Sequence, residues 1–202
     1  MCFPPCAKYA TFLRRFYHKF TFLTPPTFQG VWYDSFMINR LTTQQLISNG
    51  ITAALYVILT ITPPFNSFAY LGIQFRVSEA LLLLVFFRKD YLIAIVVGTF
   101  IANVFGPLGS FVWIDAIVGS FITFLAGYLL GRSKVFVVGM IFPVVFNALY
   151  LAIFLPIALE LPLTWPVLSG FGFSVALGQI VVLYGLGFPL YWLFRRNPYF
   201  LR

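Results

Sequence analysis

Long stretches of this chain carry no charged side chain. Uncharged runs cover residues 41–75, 91–114, 116–131, 135–159 and 161–194, and a shorter run, Ala80 to Phe87, stands between two charged groups. About 20 mostly apolar residues in a helix cross the hydrocarbon layer of a bilayer. The runs therefore predict six helices, over residues 44–62, 72–87, 90–106, 110–131, 135–159 and 165–194. The second is short for a span, and crosses only if Leu71 to Phe75 also lies at membrane depth.

Each break has a local cause. Pro63-Pro64 ends the first helix, because proline donates no hydrogen bond and disfavours helix in the residue before it. Arg88-Lys89-Asp90 separates the second helix from the third, and Gly106-Pro107-Leu108-Gly109 turns the third into the fourth. Arg132-Ser133-Lys134 parts the fourth from the fifth, and Leu161-Pro162-Leu163-Thr164-Trp165-Pro166 parts the last two.

Composition agrees with this pattern. Of 202 residues, 61% are hydrophobic and 9% charged, with a mean hydropathy of +0.95. A soluble domain carries roughly 25% charged residues, so lipid must cover most of this surface. The expected fold is an all-α integral membrane protein, a compact bundle of about six transmembrane helices. The net charge is +8, yet the basic residues sit singly or in pairs between apolar runs. That distribution reads as a topology signal and not as a nucleic-acid footprint. With alternating helices, 12 of the 13 lysines and arginines fall on one side, in the N-terminal tail, two turns and the C-terminus. The positive-inside rule makes that side cytoplasmic, which places both termini in the cytoplasm and the helices in the cell membrane. Arg76 is the exception, at the outer end of the second helix.

Residues 1–40 form a basic, aromatic tail ahead of a helical domain at 41–202. The tail lacks the apolar core of a signal peptide. It reads as a disordered segment or as translated leader, with Met37 as the expected start, while a basic amphipathic segment on the membrane surface is the alternative. Cys2, Cys6 and His18 all lie in it. No metal site is expected from one cysteine pair, and no nucleophile–base pair of the usual hydrolases lies on the helices. No cofactor is expected, and no phosphate-binding Gly-rich loop is present, so any use of ATP must come from partners.

Ionisable groups inside a membrane are costly and face the interior or water. By depth, Gln74, Arg76 and Glu79 sit at the outer start of the second helix, and Asn103 near the outer end of the third. Asp115 lies about one turn into the fourth, Asn147 in the outer half of the fifth, Glu160 at its outer end, and Gln179 near the middle of the sixth. The inner half is almost uncharged. This suggests a pocket open to the outside and closed below, not a continuous channel. Plainer roles compete: Arg76 and Glu79 can pair at i, i+3, Asp115 can cap backbone or hold a water, Asn103 and Asn147 can bond between helices, and Glu160 can sit in interfacial water. Gly50-x-x-x-Ala54 and Gly127-x-x-x-Gly131 are small-residue pairs that let another helix approach closely.

Several stretches resemble the QueT-type proteins, queuosine-precursor substrate-binding (S) components of energy-coupling factor transporters. They are Ala53-Ala54-Leu55-Tyr56-Val57-Ile58-Leu59-Thr60, Gly72-Ile73-Gln74-Phe75-Arg76-Val77-Ser78-Glu79-Ala80, and Ile101-Ala102-Asn103-Val104-Phe105-Gly106 followed by Asp115 and Gly119-Ser120. Pro143 with Asn147-Ala148, and Leu183-Tyr184 with Gly187, extend the likeness, which covers about residues 44–194. The resemblance implies capture of a 7-deazaguanine from outside, such as the aminomethyl or cyano form or queuine. It also implies docking on a transmembrane coupling subunit driven by two ATPase subunits, with Gly50 and Ala54 as docking candidates. A carboxylate, Glu79 or Asp115, can accept adjacent guanine N–H groups, and a second carboxylate would favour an aminomethyl cation. Asn103, Asn147, Gln74 and Gln179 are candidates for the remaining bonds, and Arg76 for the carbonyl oxygen or for holding Glu79. The chain departs from the family at Gly178-Gln179, where glycine-glutamate is usual, and this leaves ligand choice open. An S component for another vitamin or nucleobase, a self-sufficient carrier, and an intramembrane enzyme are the competing readings.

Overall fold

The computed structural model describes residues 42–62, 75–106 and 108–196, and every element in them is helical. The N-terminal tail, Pro63-Pro64 and Gln74 lie outside these residues. In chain order the elements are α1 (Thr43–Ile61), α2 (Val77–Phe87), α3 (Tyr91–Val104), α4 (Gly109–Arg132), α5 (Phe136–Ala158) and α6 (Trp165–Arg195). The length and composition of α1, α4, α5 and α6 suffice to cross a membrane, whereas α2 and α3 are shorter apolar helices. The chain is thus a helical membrane bundle, and the six helices among the described residues fall in the uncharged runs.

α1 opens on a capping box. The Thr42 hydroxyl accepts from the Gln45 backbone N–H, and the Gln45 side chain accepts from the Thr42 N–H at 3.0 Å. Two otherwise orphaned donors of the first turn are satisfied reciprocally.

The expected start of the second helix is corrected. Phe75 and Arg76 are not helical, and α2 begins at Val77 with a 3₁₀ segment, Val77–Leu82, before the α-helical Leu83–Phe87. At about 2.0 Å per residue in the first part and 1.5 Å in the second, α2 is roughly 20 Å long, against about 30 Å of hydrocarbon. It lies inside the bundle: Ser78, Glu79, Ala80 and Leu82 through Phe86 are buried. A helix that is apolar all round is one with protein on every side, which explains why Leu81 to Phe87 shows no polar stripe.

Glycines permit this burial. A Cβ at Gly127 of α4 would lie 2.6 Å from Leu92 Cδ1 and 3.2 Å from Leu82 Cδ2, and one at Gly131 would lie 3.2 Å from Val85 Cγ1. The Gly127–Gly131 pair therefore admits α2 and α3 of the same chain. Gly50 differs: nothing lies within 4 Å of its Cβ position, and both it and Ala54 are exposed.

The end of the bundle that carries Arg88, Lys89, Arg132, Lys134 and Arg195 is sealed by aromatic rings. Phe136 and Tyr191 stack with centroids 4.5 Å apart, and Phe86 meets Phe136 edge-on at 5.4 Å. Partial burial, and then the neighbouring Arg132, push the Lys89 pKa below the usual lysine range. Outward faces are apolar, with Leu46, Ile51, Phe121, Leu149 and Phe173 exposed, and exposed Trp113 and Trp165 ring one end while Trp192 marks the other. Tryptophans at both ends match the two membrane interfaces.

α5 ends in a Schellman-type turn. Leu161 N donates to Pro156 O at 2.8 Å and Glu160 N to Ile157 O at 3.2 Å, with Glu160 at φ 54°. This left-handed position favours glycine. Glu160→Gly is expected to raise stability by up to about 1 kcal/mol, read as a higher unfolding midpoint in detergent; a lowered midpoint would show that Glu160 makes a stabilising contact of its own.

Candidate substrate-binding site

The buried polar residues of α1 come at spacings of three and four: Asn49, Thr52, Tyr56 and Thr60. They form one stripe facing the bundle, the inverse of a soluble amphipathic helix, since lipid rather than water covers the other face. Tyr56 is fully buried and donates from its hydroxyl to Glu79 Oε1 at 2.8 Å. One turn further, Thr60 Oγ1 donates to the Ser78 hydroxyl at 2.8 Å, beside Glu79 in sequence. α1 comes this close because α3 offers Gly98, where a Cβ would stand 2.9 Å from Tyr56 Cβ and 3.1 Å from Ala53 O.

A second chain of bonds crosses α3, α4 and α5. Arg76 Nη2 donates to Asn103 Oδ1 at 2.6 Å, Asn103 Nδ2 to the Asp115 carbonyl at 3.1 Å, and the Tyr150 hydroxyl to Asp115 Oδ1 at 2.9 Å. The Arg76 charge acts on both carboxylates, Glu79 and Asp115, so the two chains share one centre. α4 widens into a π-helix over Asp115–Gly119, a departure that recurs at functional sites. Gly119 closes this turn against the site: its Cβ would fall 2.8 Å from Asn103 Nδ2 and 3.1 Å from Asp115 Oδ1. Tyr150 also stacks on Phe154, centroids 5.2 Å apart.

Asn147 of α5 and Gln179 of α6 are also buried, 4% and 2% exposed. Asn147 lies beside the Glu79 carboxylate. α5 packs along α6, whose π-helical Val181–Leu186 lies against the start of α2. Among the described residues, Glu79 Oε2, Asn147 Nδ2 and Gln179 Oε1 are buried and have no hydrogen-bond partner. Leaving a buried polar atom unpaired costs about 1–3 kcal/mol, more when it is charged. Two of these atoms, Glu79 Oε2 and Asn147 Nδ2, belong to neighbouring side chains, an acceptor beside a donor.

Six of the seven candidate ligand residues are thus placed. Glu79, Arg76, Asn103, Asp115 and Asn147 come together around the two carboxylates, Gln179 is buried on α6, and Gln74 lies outside the described residues. Arg76 stands at the N-cap of α2, where its carbonyl accepts from the Glu79 N–H at 3.0 Å, and its guanidinium also donates to Asn103 on α3. Asp115 accepts a phenol proton in place of capping backbone. Glu160 is exposed, as an interfacial residue should be. Sequence reading passed over Tyr56, Tyr150, Gly98 and Gly119 as site residues. The α1 polar stripe could have revealed Tyr56; nothing local marks the others, because their roles are contacts across helices.

Tyr56→Phe removes the donor to Glu79 Oε1. A bond to a charged group contributes about 1.5–3 kcal/mol, so the unfolding midpoint should fall and solute affinity should drop at least about tenfold. An unchanged thermal melt together with unchanged affinity would exclude Tyr56 from the site.

A bundle that is apolar outside and gathers its polar groups in a buried centre is a multi-pass membrane protein of the solute-handling kind. The family described as "QueT transporter" matches residues 46–196, and the chain belongs to that family of transporters. A curated relative, "Queuosine precursor transporter QueT" of Lactococcus lactis subsp. cremoris (strain MG1363), is 47% identical over 81 residues, 40% of this chain and 46% of the relative. The match therefore spans less than half of that relative's length. No solved structure matches the chain significantly.

Proposed function

We propose that this chain is the solute-binding membrane subunit of an energy-coupling factor importer, and that its solute is a 7-deazaguanine precursor of queuosine. The observation that carries the reading is Glu79, whose carboxylate is fully buried and has Oε1 held by Tyr56 and Oε2 unpartnered. A guanine edge presents two neighbouring N–H donors to such a carboxylate and a carbonyl oxygen to a donor such as Asn147 Nδ2. Gln179 Oε1 would accept from another ring N–H, and Arg76, Asn103 and Asp115 would frame the opposite side. The printed name of the Lactococcus relative supports the same solute class.

The solute would enter from outside, at the end opposite the basic turns, and the aromatic seal would stop it there. Both termini would lie in the cytoplasm, in the cell membrane. α1 would dock on a coupling subunit, itself driven by two ATPases. Its exposed Gly50 and Ala54 would allow close approach, flanked by exposed Leu46, Ile47, Ile51 and Ile58.

Equilibrium binding of 7-aminomethyl-7-deazaguanine to the purified chain in detergent tests the solute, with guanine and riboflavin as controls. Selective binding supports the reading; absence of binding to a folded sample, or equal binding of riboflavin, rejects it. Uptake by liposomes containing this chain alone would reject the dependence on partner subunits.

A further inference from the structure

We propose that Lys89 and Arg132 form a headgroup site for an anionic phospholipid, where the α2–α3 turn meets the end of α4. The site is separate from the buried polar centre and independent of which solute that centre takes.

Helix packing brings the two cations together. Lys89 lies in the turn between α2 and α3, and Arg132 ends α4. α4 packs against both α2 and α3. Gly131 makes room for the lysine stem: a Cβ there would stand 3.8 Å from Lys89 Cγ and 3.6 Å from the Val85 carbonyl oxygen. The stem thus lies along α4, half-buried, with its charge near enough to Arg132 for the two to repel. Arg132 is positioned from its own helix. Its Nη1 donates to the Tyr128 hydroxyl at 2.7 Å, one turn back, and Tyr128 stacks on Phe124 with centroids 6.2 Å apart. A side chain already tied in this way loses less freedom when a ligand arrives.

Like charges held side by side cost free energy, and an anion between them offsets that cost. Among the described residues, Asp90 is the acidic side chain at this end, and it is engaged by Arg88, whose Nε donates to it at 3.1 Å. A guanidinium and an ammonium together suit a phosphate, the first as a planar fork and the second as a point charge. The surroundings favour a phosphate that carries acyl chains. Exposed Tyr128 and Trp192 mark this end as a membrane interface, and the outward faces of α3 and α4 continue toward mid-bilayer with exposed Ile93, Val97 and Phe121. A phosphate on Lys89 and Arg132 therefore has apolar surface beneath it for the chains of the same molecule.

The test titrates the full chain, purified in a zwitterionic detergent, with phosphatidylglycerol or phosphatidylcholine of identical acyl chains, and reads bound lipid by native mass spectrometry. Phosphatidylglycerol should bind at least about fivefold more tightly. Lys89→Gln combined with Arg132→Gln should bring the two lipids within about twofold of each other. Arg195→Gln combined with Arg196→Gln removes the same two charges from the same end and should leave the preference in place. Arg132→Gln alone, at an exposed side chain where folding is not at stake, should lower the preference at least about twofold. Equal binding of the two lipids by the unaltered chain would overturn the proposal. Equal losses in the two double variants would reveal a general attraction to the basic end and would overturn the assignment to Lys89 and Arg132. Glycerol phosphate binding as tightly as the lipid would show a site for soluble anions, and would overturn the assignment to phospholipid.

Discussion

Glu79→Gln is expected to weaken binding of the 7-deazaguanine by at least about a hundredfold while leaving the bundle folded. The amide is the same size as the carboxyl, and its oxygen can still accept from Tyr56, so the contact at 2.8 Å to α1 survives. The atom facing the solute changes from an acceptor to an NH₂ donor. One accepting bond to a ring N–H is then replaced by two donors facing each other, and the remaining acceptor loses its charge. Bonds to charged groups contribute about 1.5–3 kcal/mol each, and a site built for such bonds rejects a mismatched partner strongly because buried groups are left unpaired. The measurement is a titration of the variant beside a thermal melt. Retained affinity in Glu79→Gln would remove Glu79 from the solute's contacts.

Gly98→Ala should give the largest loss of stability among glycine-to-alanine substitutions outside the buried polar groups. Alanine is the better helix former by about 1 kcal/mol, so the local effect would be a gain. The added methyl, however, would stand 2.9 Å from Tyr56 Cβ and 3.1 Å from the Ala53 carbonyl oxygen. Neither is the tip of a flexible side chain, so α1 and α3 must separate. Overpacking of this kind costs about 1–3 kcal/mol, and the shift moves the Tyr56 hydroxyl away from Glu79. Affinity should fall with stability. Gly127→Ala is the control: its methyl would meet the side-chain ends of Leu92 and Leu82, which can turn aside, and it should cost distinctly less. A melt in which Gly98→Ala matches the unaltered chain would show that the α1–α3 approach is looser than these distances.

Much of the architecture was legible from the chain alone. The turns at Arg88-Lys89-Asp90 and Arg132-Ser133-Lys134 part helices because charge cannot stay in hydrocarbon, a rule that needs no tertiary information. The same cost made Glu79, Asp115, Asn103 and Asn147 stand out in apolar runs as groups that must turn inward. The start of α2 was less legible, since Phe75-Arg76-Val77 carries nothing that forbids helix; the chain there leaves the helical path and Arg76 reaches Asn103.

Hydrophobic length and the placement of charge, each a property of a single segment, determined the class of protein, the helices among the described residues and the residues that had to be buried. Which of those residues meet was decided only in three dimensions. Tyr56 reaches Glu79 because Gly98 leaves no side chain between α1 and α3, and Asp115 meets Asn103 and Tyr150 because α4 loosens into a π-turn closed by Gly119. Burial follows from the cost of polar groups in lipid, which is local and additive along the chain. Partnership depends on how closely two helices approach and how each is rotated, and those distances are set by the small residues of one helix against the side chains of another.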